Sequence, residues 1–310
     1  MKKVAIIGAG ASGLLCAIKC AESSSHVDIY EQNSKCAKKI LVSGNGRCNI
    51  TNTSFTQNDY YSNNPSFVKD ALEKFSFKEF SKFTSSIGLE LDIKNDGKVY
   101  PLSNEAKSVA SLLESQAKKL GVNFHLDTKI DNISKLLQTH DAVVIATGSE
   151  AASHLGGNQD GQMFAKEFNH TLQPSYPSLV QLELSGTTHE KMSGSKVDGE
   201  VTLLINSKSS ISVSGDILFT NYGVSGFAIL DISQLASESL LQYQAVDISL
   251  NLLPKYTAQK LSAYMMKMSQ INQKMSFLDM LHGLLPIKIS KTILETLQLK
   301  EELELSQLDT

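Results

Sequence analysis

The stretch from Lys3 to Glu31 leaves this chain little choice of fold. It reads KVAIIGAGASGLLCAIKCAESSSHVDIYE. A short apolar run, Val4 to Ile7, ends at Gly8, and Gly10 and Gly13 follow in G-x-G-x-x-G spacing. The pattern predicts a strand, a tight turn and a helix from Ala11 to Glu22, then a second strand, Val27 to Tyr30, closed by Glu31. Gly8 permits the turn out of the strand, Gly10 lets a pyrophosphate approach the backbone, and Gly13 lets helix and strand pack closely. The free N–H groups and the positive dipole end of the helix then face the phosphates. Glu31 stands where a carboxylate accepts hydrogen bonds from a ribose diol. A bare glycine triplet is often an ordinary turn. Strand, helix and acid in register point to dinucleotide binding.

The length of 310 residues suits two domains or one large one. The net charge of −3 gives no electrostatic case for a nucleic acid or an anionic membrane as partner. Lys2 and Lys3 before an apolar run imitate a secretory signal, but Gly8, Gly10, Ser12 and Lys19 interrupt it. No uninterrupted apolar run is long enough to span a bilayer. The four cysteines, Cys16, Cys20, Cys36 and Cys48, form no C-x-x-C, and no histidine completes a zinc pattern. No metal site is expected, and the protein reads as cytoplasmic with reduced thiols. Cys16 and Cys20 lie one helical turn apart, which suits buried packing.

A second unusual stretch is KKILVSGNGRCNITN, Lys38 to Asn52. Gly44, Asn45, Gly46, Arg47, Asn49, Thr51 and Asn52 offer backbone donors, a guanidinium and several amides. That inventory suits a phosphate or a flavin ring edge; a surface turn is the plain alternative. Residues 67–87 carry Phe67, Phe75, Phe80 and Phe83 near helical spacing, an aromatic stripe expected in the core, with Gly88 closing the helix. A hairpin is expected around Asn95-Asp96-Gly97, then a helix from Asn104 as N-cap to Leu120, with Gly121 after it, and a strand at 122–126. Asp141 to Gly148, DAVVIATG, reads as a buried strand ending at Thr147-Gly148. Asp160 and Gly161 lead into a helix at 162–168 and stand equally for a cofactor contact or a plain helix start. From Ser178 the texture changes to short β-like pieces at 179–184, 199–205, 211–213 and 216–219. Helical patterns follow at 257–268, 277–284 and 291–299, rich in methionine.

Together these stretches resemble the HI0933-like bacterial flavoproteins, NAD(P)/FAD-dependent oxidoreductases. The shared motifs are GAGASG at 8–13, KKILVSGNGRCNITN at 38–52, GKVYPLSNEAKSV at 97–109, ATG at 146–148, PSLVQL at 177–182 and DILFTNYGVSGFAIL at 216–230. The resemblance covers essentially the whole chain. It implies an α/β fold: a Rossmann-type FAD-binding domain with an inserted β-barrel-like unit and a helical unit. The expected bounds are 1–185, 186–252 and 253–310. It implies FAD held at its adenosine half by Gly8, Ala9, Gly10, Ser12, Gly13, Glu31 and Gln32. It assigns Lys39, Gly44, Gly46, Arg47, Asn49 and Thr51 to the pyrophosphate or flavin, and Ile130, Thr147 and Gly148 to the adenine side. A small-molecule substrate is expected, with NAD(P)H as a transient electron donor, because a single G-x-G-x-x-G leaves no second nucleotide domain visible. No catalytic acid or base is named; Arg47 is the preferred group beside the flavin or a substrate anion, and Tyr222 is a substrate-facing candidate. A fumarate-reductase-type or tRNA-modifying flavoprotein shares the fingerprint, but no His/Arg pattern or basic surface supports either.

Two departures from the family pattern matter. Ser149 replaces the second glycine of A-T-G-G. No G-E-x-x-D or G-G-Y-N segment, with which relatives return to the flavin, occurs in this sequence. The expectation is that half of the flavin pocket is unbuilt in this chain. The alternative to a working flavoenzyme is therefore a truncated nucleotide-binding remnant without turnover.

Overall fold

The structure is a computed structural model and describes residues 1–62 and 64–307. The last three residues of the expected helical unit lie outside the described residues. Two compact units form, Met1–Gln173 and Pro174–Thr310.

The first unit is built on a four-stranded parallel sheet. Its strands are β1 (Lys3–Ile7), β2 (His26–Tyr30), β6 (Asn123–His125) and β7 (Ala142–Ile145), in the order β6-β2-β1-β7. Helix α1 (Ala11–Glu22) makes the crossover from β1 to β2 and buries Leu14, Ala17 and Ile18 against one face of the sheet, as a right-handed βαβ unit requires. Helix α5 (Ala106–Lys119) covers the same face with Val109, Leu113 and Ala117. On the other face Ala5 and Ile7 pack with Ile133, Leu136 and Phe164 from α6 (Ile133–Leu137) and α7 (Asp160–Glu167). Between β2 and α5 lie α2 (Lys38–Val42), β3 (Thr51–Asn52), α3 (Lys69–Lys74), α4 (Phe77–Ser86), β4 (Leu91–Ile93) and β5 (Lys98–Pro101). Strands β3, β5 and β4 make a small antiparallel sheet, which includes the expected hairpin around Gly97.

The second unit carries a half-barrel of five antiparallel strands in the order β12-β9-β10-β11-β8. These are β8 (Leu182–Glu183), β9 (Lys196–Ile205), β10 (Lys208–Phe219), β11 (Gly223–Ser225) and β12 (Val246–Asn251), with α8 (Thr188–Lys191) between β8 and β9. Asn206 and Ser207, at φ 50° and 64°, make the two-residue turn of the long β9–β10 hairpin. Helix α9 (Phe227–Leu241) lays Ala228, Ile229, Ile232 and Ala236 on the half-barrel. Helices α10 (Ala258–Ile271), α11 (Phe277–His282) and α12 (Ile287–Thr296) form a further cluster around Phe277, Met280, Leu281 and Leu294. The methionines Met265, Met268, Met275 and Met280 all belong to that cluster.

Several sequence expectations need correction. The helix expected over 67–87 is two helices, α3 and α4, because Ser76 and Glu79 start a new one as an S-x-x-E pair joined side chain to side chain. The aromatic stripe is not all core: Phe83 is buried, whereas Phe67 is exposed. Asn104 does not cap α5; it closes a turn onto the Pro101 carbonyl at φ 54°, and the helix starts at Ala106. The β pieces at 211–213 and 216–219 are one strand, β10, bent by an irregularity at Ser209–Ile211. The helix at 291–299 starts earlier, at Ile287, where Pro286 sets the entry backbone. Helix α9 and strand β12 were not foreseen. No helix among the described residues is long and apolar enough to cross a membrane.

Candidate functional site

The site forms where β1 and β2 end, around the start of α1. Gly8, at φ 103°, turns the chain out of β1; a Cβ there would lie 2.5 Å from the Ala146 carbonyl oxygen. A Cβ on Gly13 would lie 1.9 Å from the Gly8 carbonyl oxygen, so helix and turn touch backbone to backbone. Gly10 differs: a Cβ there would meet nothing within 4 Å. The open space beside Gly10 is the hollow a phosphate needs. No side chain caps α1, so its first N–H groups are left for a ligand.

Glu31 is buried, and donors hold it on three sides. Its Oε2 accepts from Ala9 N–H at 2.9 Å, and its Oε1 accepts from Asn33 N–H at 2.8 Å and Asn33 Nδ2 at 2.6 Å. Lys38 Nζ donates to Asn33 Oδ1 at 2.7 Å. The Ala9 carbonyl accepts from Ala37 N–H at 2.9 Å. The fingerprint turn is thus tied to the segment after β2 through both backbone groups of Ala9.

A cleft of about 320 Å³ opens here, a volume suited to a small-molecule or cofactor site. Of the sequence-predicted residues, Gly8, Gly10, Ser12, Glu31, Gln32 and Lys39 line it on one side. Ile130, Thr147 and Gly148 line it on the other, and Asp160 joins them. Ala9 and Gly13 stand behind the wall as supports. The two lips meet: Gln32 Nε2 donates to the Gly156 carbonyl at 2.8 Å, and Lys39 Nζ to the Ser149 carbonyl at 3.1 Å. Tyr30, Ile130, Leu155 and Phe164 give the cleft an apolar pocket of the kind a base needs. Lys35, Lys38, Lys39 and Lys129 face it against the two acids Glu31 and Asp160, a surplus of positive charge that suits a pyrophosphate. These observations fit the nucleotide half of a dinucleotide cofactor.

The second predicted stretch lines this cleft only with Lys38, Lys39 and Ile40. Gly44, Gly46, Arg47, Asn49 and Thr51 do not line it. Gly44 and Asn45 turn through left-handed backbone, both at φ 56°, inside a short 3-10 turn. Arg47, the chain's single arginine, sits over the Tyr100 ring at 5.5 Å. Thr51 is in β3, opposite Val99. In the second unit, Tyr222 donates its hydroxyl hydrogen bond to Gln181.

Asn33 was not singled out in the sequence, and Lys38, Gly156 and Asn158 stand in the stretches 38–52 and 156–161 that were noted there without being named as contacts. An amide two residues beyond the acid, in the segment leading to α2, was the available signal for Asn33. Behind the cleft, Tyr30 stacks on His125 at 4.5 Å. Beside them sits Asp28: burial alone would raise its carboxyl, but hydrogen bonds with His125, His140 and Asn123 and the charge of His26 hold it below the usual range. Burial pushes the Cys36 thiol up to about 11. The Cys16 thiol rises likewise to about 11, first through burial and then through Cys20, whose sulfur lies 4.0 Å away. No group of His, Cys, Asp and Glu among the described residues could hold a metal ion.

Residues 2–242 match the family model of the HI0933-like protein Rossmann domain, and residues 176–310 that of the HI0933-like protein barrel and H2TH domain. The chain is 28% identical to a 3-dehydro-bile acid delta(4,6)-reductase of Clostridium scindens, over 99% of this chain and 78% of that protein. It is 30% identical to a ribosomal RNA dihydrouridine synthase of Haemophilus influenzae, over 74% of this chain and 60% of that protein. The corresponding enzyme of Escherichia coli is 28% identical over 80% of this chain and 63% of its own length. The chain thus spans less than two thirds of these two ribosomal RNA enzymes.

Proposed function

The chain belongs to the HI0933-like family of FAD-dependent oxidoreductases, and from that premise we propose that it reduces a carbon–carbon double bond conjugated to a carbonyl group. The observation that carries nucleotide binding is the cleft itself: an uncapped helix start, the open space at Gly10 and the pinned Glu31. The reaction class rests on the relatives. A 3-dehydro bile acid with Δ4,6 unsaturation is an enone, and dihydrouridine is uridine saturated at the bond beside a ring carbonyl. Reduction of such an α,β-unsaturated carbonyl adds hydride at the carbon remote from the carbonyl and a proton at the carbon next to it.

Bound FAD supplies the hydride chemistry; the protein supplies binding, orientation and electrostatics. Gly8, Gly10 and Ser12 would face the pyrophosphate, Glu31 and Gln32 the ribose, and Ile130, Thr147 and Gly148 the adenine side. Lys39, at the mouth, would offer its ammonium to a phosphate in place of the Ser149 carbonyl. Gly44, Gly46, Arg47, Asn49 and Thr51 are assigned to the reactive end, where a guanidinium steadies a carbonyl oxygen or reduced flavin as negative charge develops. NAD(P)H would deliver electrons transiently.

The substrate is a small apolar enone in the first instance. A second, RNA, has its own support: Lys255, Lys260, Lys267 and Lys274 are all exposed in and around α10, a local positive run that the net charge of −3 hides. One experiment addresses all of this. The purified chain, loaded with FAD, is reduced anaerobically with NADPH or NADH and mixed with a 3-oxo-Δ4 steroid or a uridine-containing RNA. Return of the oxidised flavin spectrum with one of them identifies the substrate class. A preparation that stays colourless after FAD titration returns the chain to the alternative, a nucleotide-binding module without turnover.

A further inference from the structure

A glutamate at the end of a strand has three rotatable bonds, and fixing them costs conformational entropy. Glu31 is fixed before any ligand arrives. One oxygen takes both donors of Asn33, at 2.8 Å and 2.6 Å, and the other takes Ala9 N–H at 2.9 Å. The orientation of the Asn33 amide is fixed in turn. An ammonium only donates, so Lys38 Nζ, 2.7 Å from Asn33 Oδ1, requires the oxygen on its own side and leaves Nδ2 for Glu31. The platform beneath is rigid as well. Thr128 N–H donates to the Glu31 carbonyl at 2.8 Å, and Asp127 N–H to the Asn33 carbonyl at 3.1 Å. Lys38 opens α2 directly after Ala37, whose N–H holds the Ala9 carbonyl at 2.9 Å. Lys38, Asn33 and Glu31 all line the cleft.

We infer that Asn33 and Lys38 are positioning residues that hold the Glu31 carboxylate for the ribose hydroxyls of the bound dinucleotide, so that selection of an intact ribose belongs to the Lys38–Asn33–Glu31 relay and not to Glu31 alone. Three of the roughly four acceptor positions of a carboxylate are taken by the protein, and those three decide where the last one points. The relay also sets the positive charge of Lys38 one residue away from the negative charge of Glu31. Without Lys38 the Asn33 amide oxygen loses its donor, and the amide is held only by its own bonds to Glu31, which leaves the carboxylate less tightly placed.

The inference rests on the cleft being the nucleotide site, so the probes are ADP and 2′,3′-dideoxy-ADP, titrated calorimetrically into the whole chain. Loss of a hydrogen bond to a charged group predicts that the wild type prefers ADP about tenfold or more. Asn33→Ala and Lys38→Met are expected to cut that preference below about threefold while binding dideoxy-ADP within about twofold of the wild type. Lys38→Arg, which keeps a donor for Asn33 Oδ1, restores the preference. Asn33→Ala placed on Glu31→Gln removes no further selectivity. Equal weakening of both nucleotides, or an unchanged ratio in both variants, overturns the relay and leaves a structural role. If Asn33→Ala fails to fold, Lys38→Met and Lys38→Arg decide alone. If the wild type binds neither nucleotide, the nucleotide site itself is refuted, and the relay with it.

Discussion

Two glycine-rich loops of the first unit, Gly8–Gly13 and Ser43–Cys48, look alike in composition and behave differently. In the first, Gly8 packs against Ala146 and Gly13 against Gly8, Ala9 is bonded to Glu31 and Ala37, and Gly10 alone is left open. In the second, the loop mostly bonds to itself. Cys48 N–H returns to the Ser43 carbonyl at 3.0 Å and Arg47 N–H to the Gly44 carbonyl at 3.2 Å. Its guanidinium rests on Tyr100 and not in the cleft. A glycine pattern in register with a strand and a helix therefore says where its donors point. A dense supply of donors without such a frame does not.

The largest difference should appear with one substitution made in both loops. Gly13→Ala forces a Cβ against the Gly8 carbonyl and is expected to cost about 2–3 kcal/mol in urea unfolding, the upper range of overpacking. Gly46→Ala, at φ 80° with nothing within 4 Å, should cost about 1 kcal/mol, the strain of a left-handed alanine. Equal costs would remove the contrast. Next comes nucleotide affinity. Glu31→Gln is expected to weaken ADP about tenfold or more, and Arg47→Ala to leave it within about twofold while lowering turnover. An Arg47 loss as large as that of Glu31 would make the two loops one nucleotide site.

The smallest effect concerns Cys36, in the segment that joins the loops. Its thiol is raised from 9.0 to about 11 by burial. A raised thiol favours the folded state below pH 9.0 and loses that contribution as pH climbs through about 11. Stability measured by denaturation should therefore fall across that alkaline window, and Cys36→Ala should flatten the fall. A slope that Cys36→Ala leaves unchanged assigns the alkaline loss to other groups.

The legible parts of the fold are those with local rules. The β1–α1–β2 unit could be read because turn, helix and acid must keep fixed spacing, and the hairpin at Gly97 because turn chemistry is short-range. Helix α9 was missed although Ile229, Ile232 and Ala236 keep helical spacing, because the glycine-rich Gly223–Gly226 run before it reads as a loop. The break at Ser76 was missed because a continuous aromatic period outweighed the S-x-x-E spacing of Ser76 and Glu79. In the cleft, Gly8, Gly10, Glu31, Thr147 and Gly148 were foreseen, while Asn33, Lys38 and Asn158 were not. Asn158 meets Gln32 across the fold, a contact no spacing encodes, whereas Asn33 and Lys38 follow Glu31 closely and are polar residues that read as an ordinary connection.

The account stands on the space beside Gly10. Its backbone, at φ −78° and ψ −170°, accepts any side chain, and a Cβ there touches nothing within 4 Å. Gly10→Val should therefore melt at the same temperature as the wild type yet fill the hollow reserved for the pyrophosphate. Calorimetric titration of FAD into both proteins is the direct measurement. The account predicts binding by the wild type and at least about a tenfold loss in Gly10→Val, since a methyl-bearing side chain displaces the phosphate from the helix N–H groups. Equal affinity in the two proteins, with both folded, would contradict it.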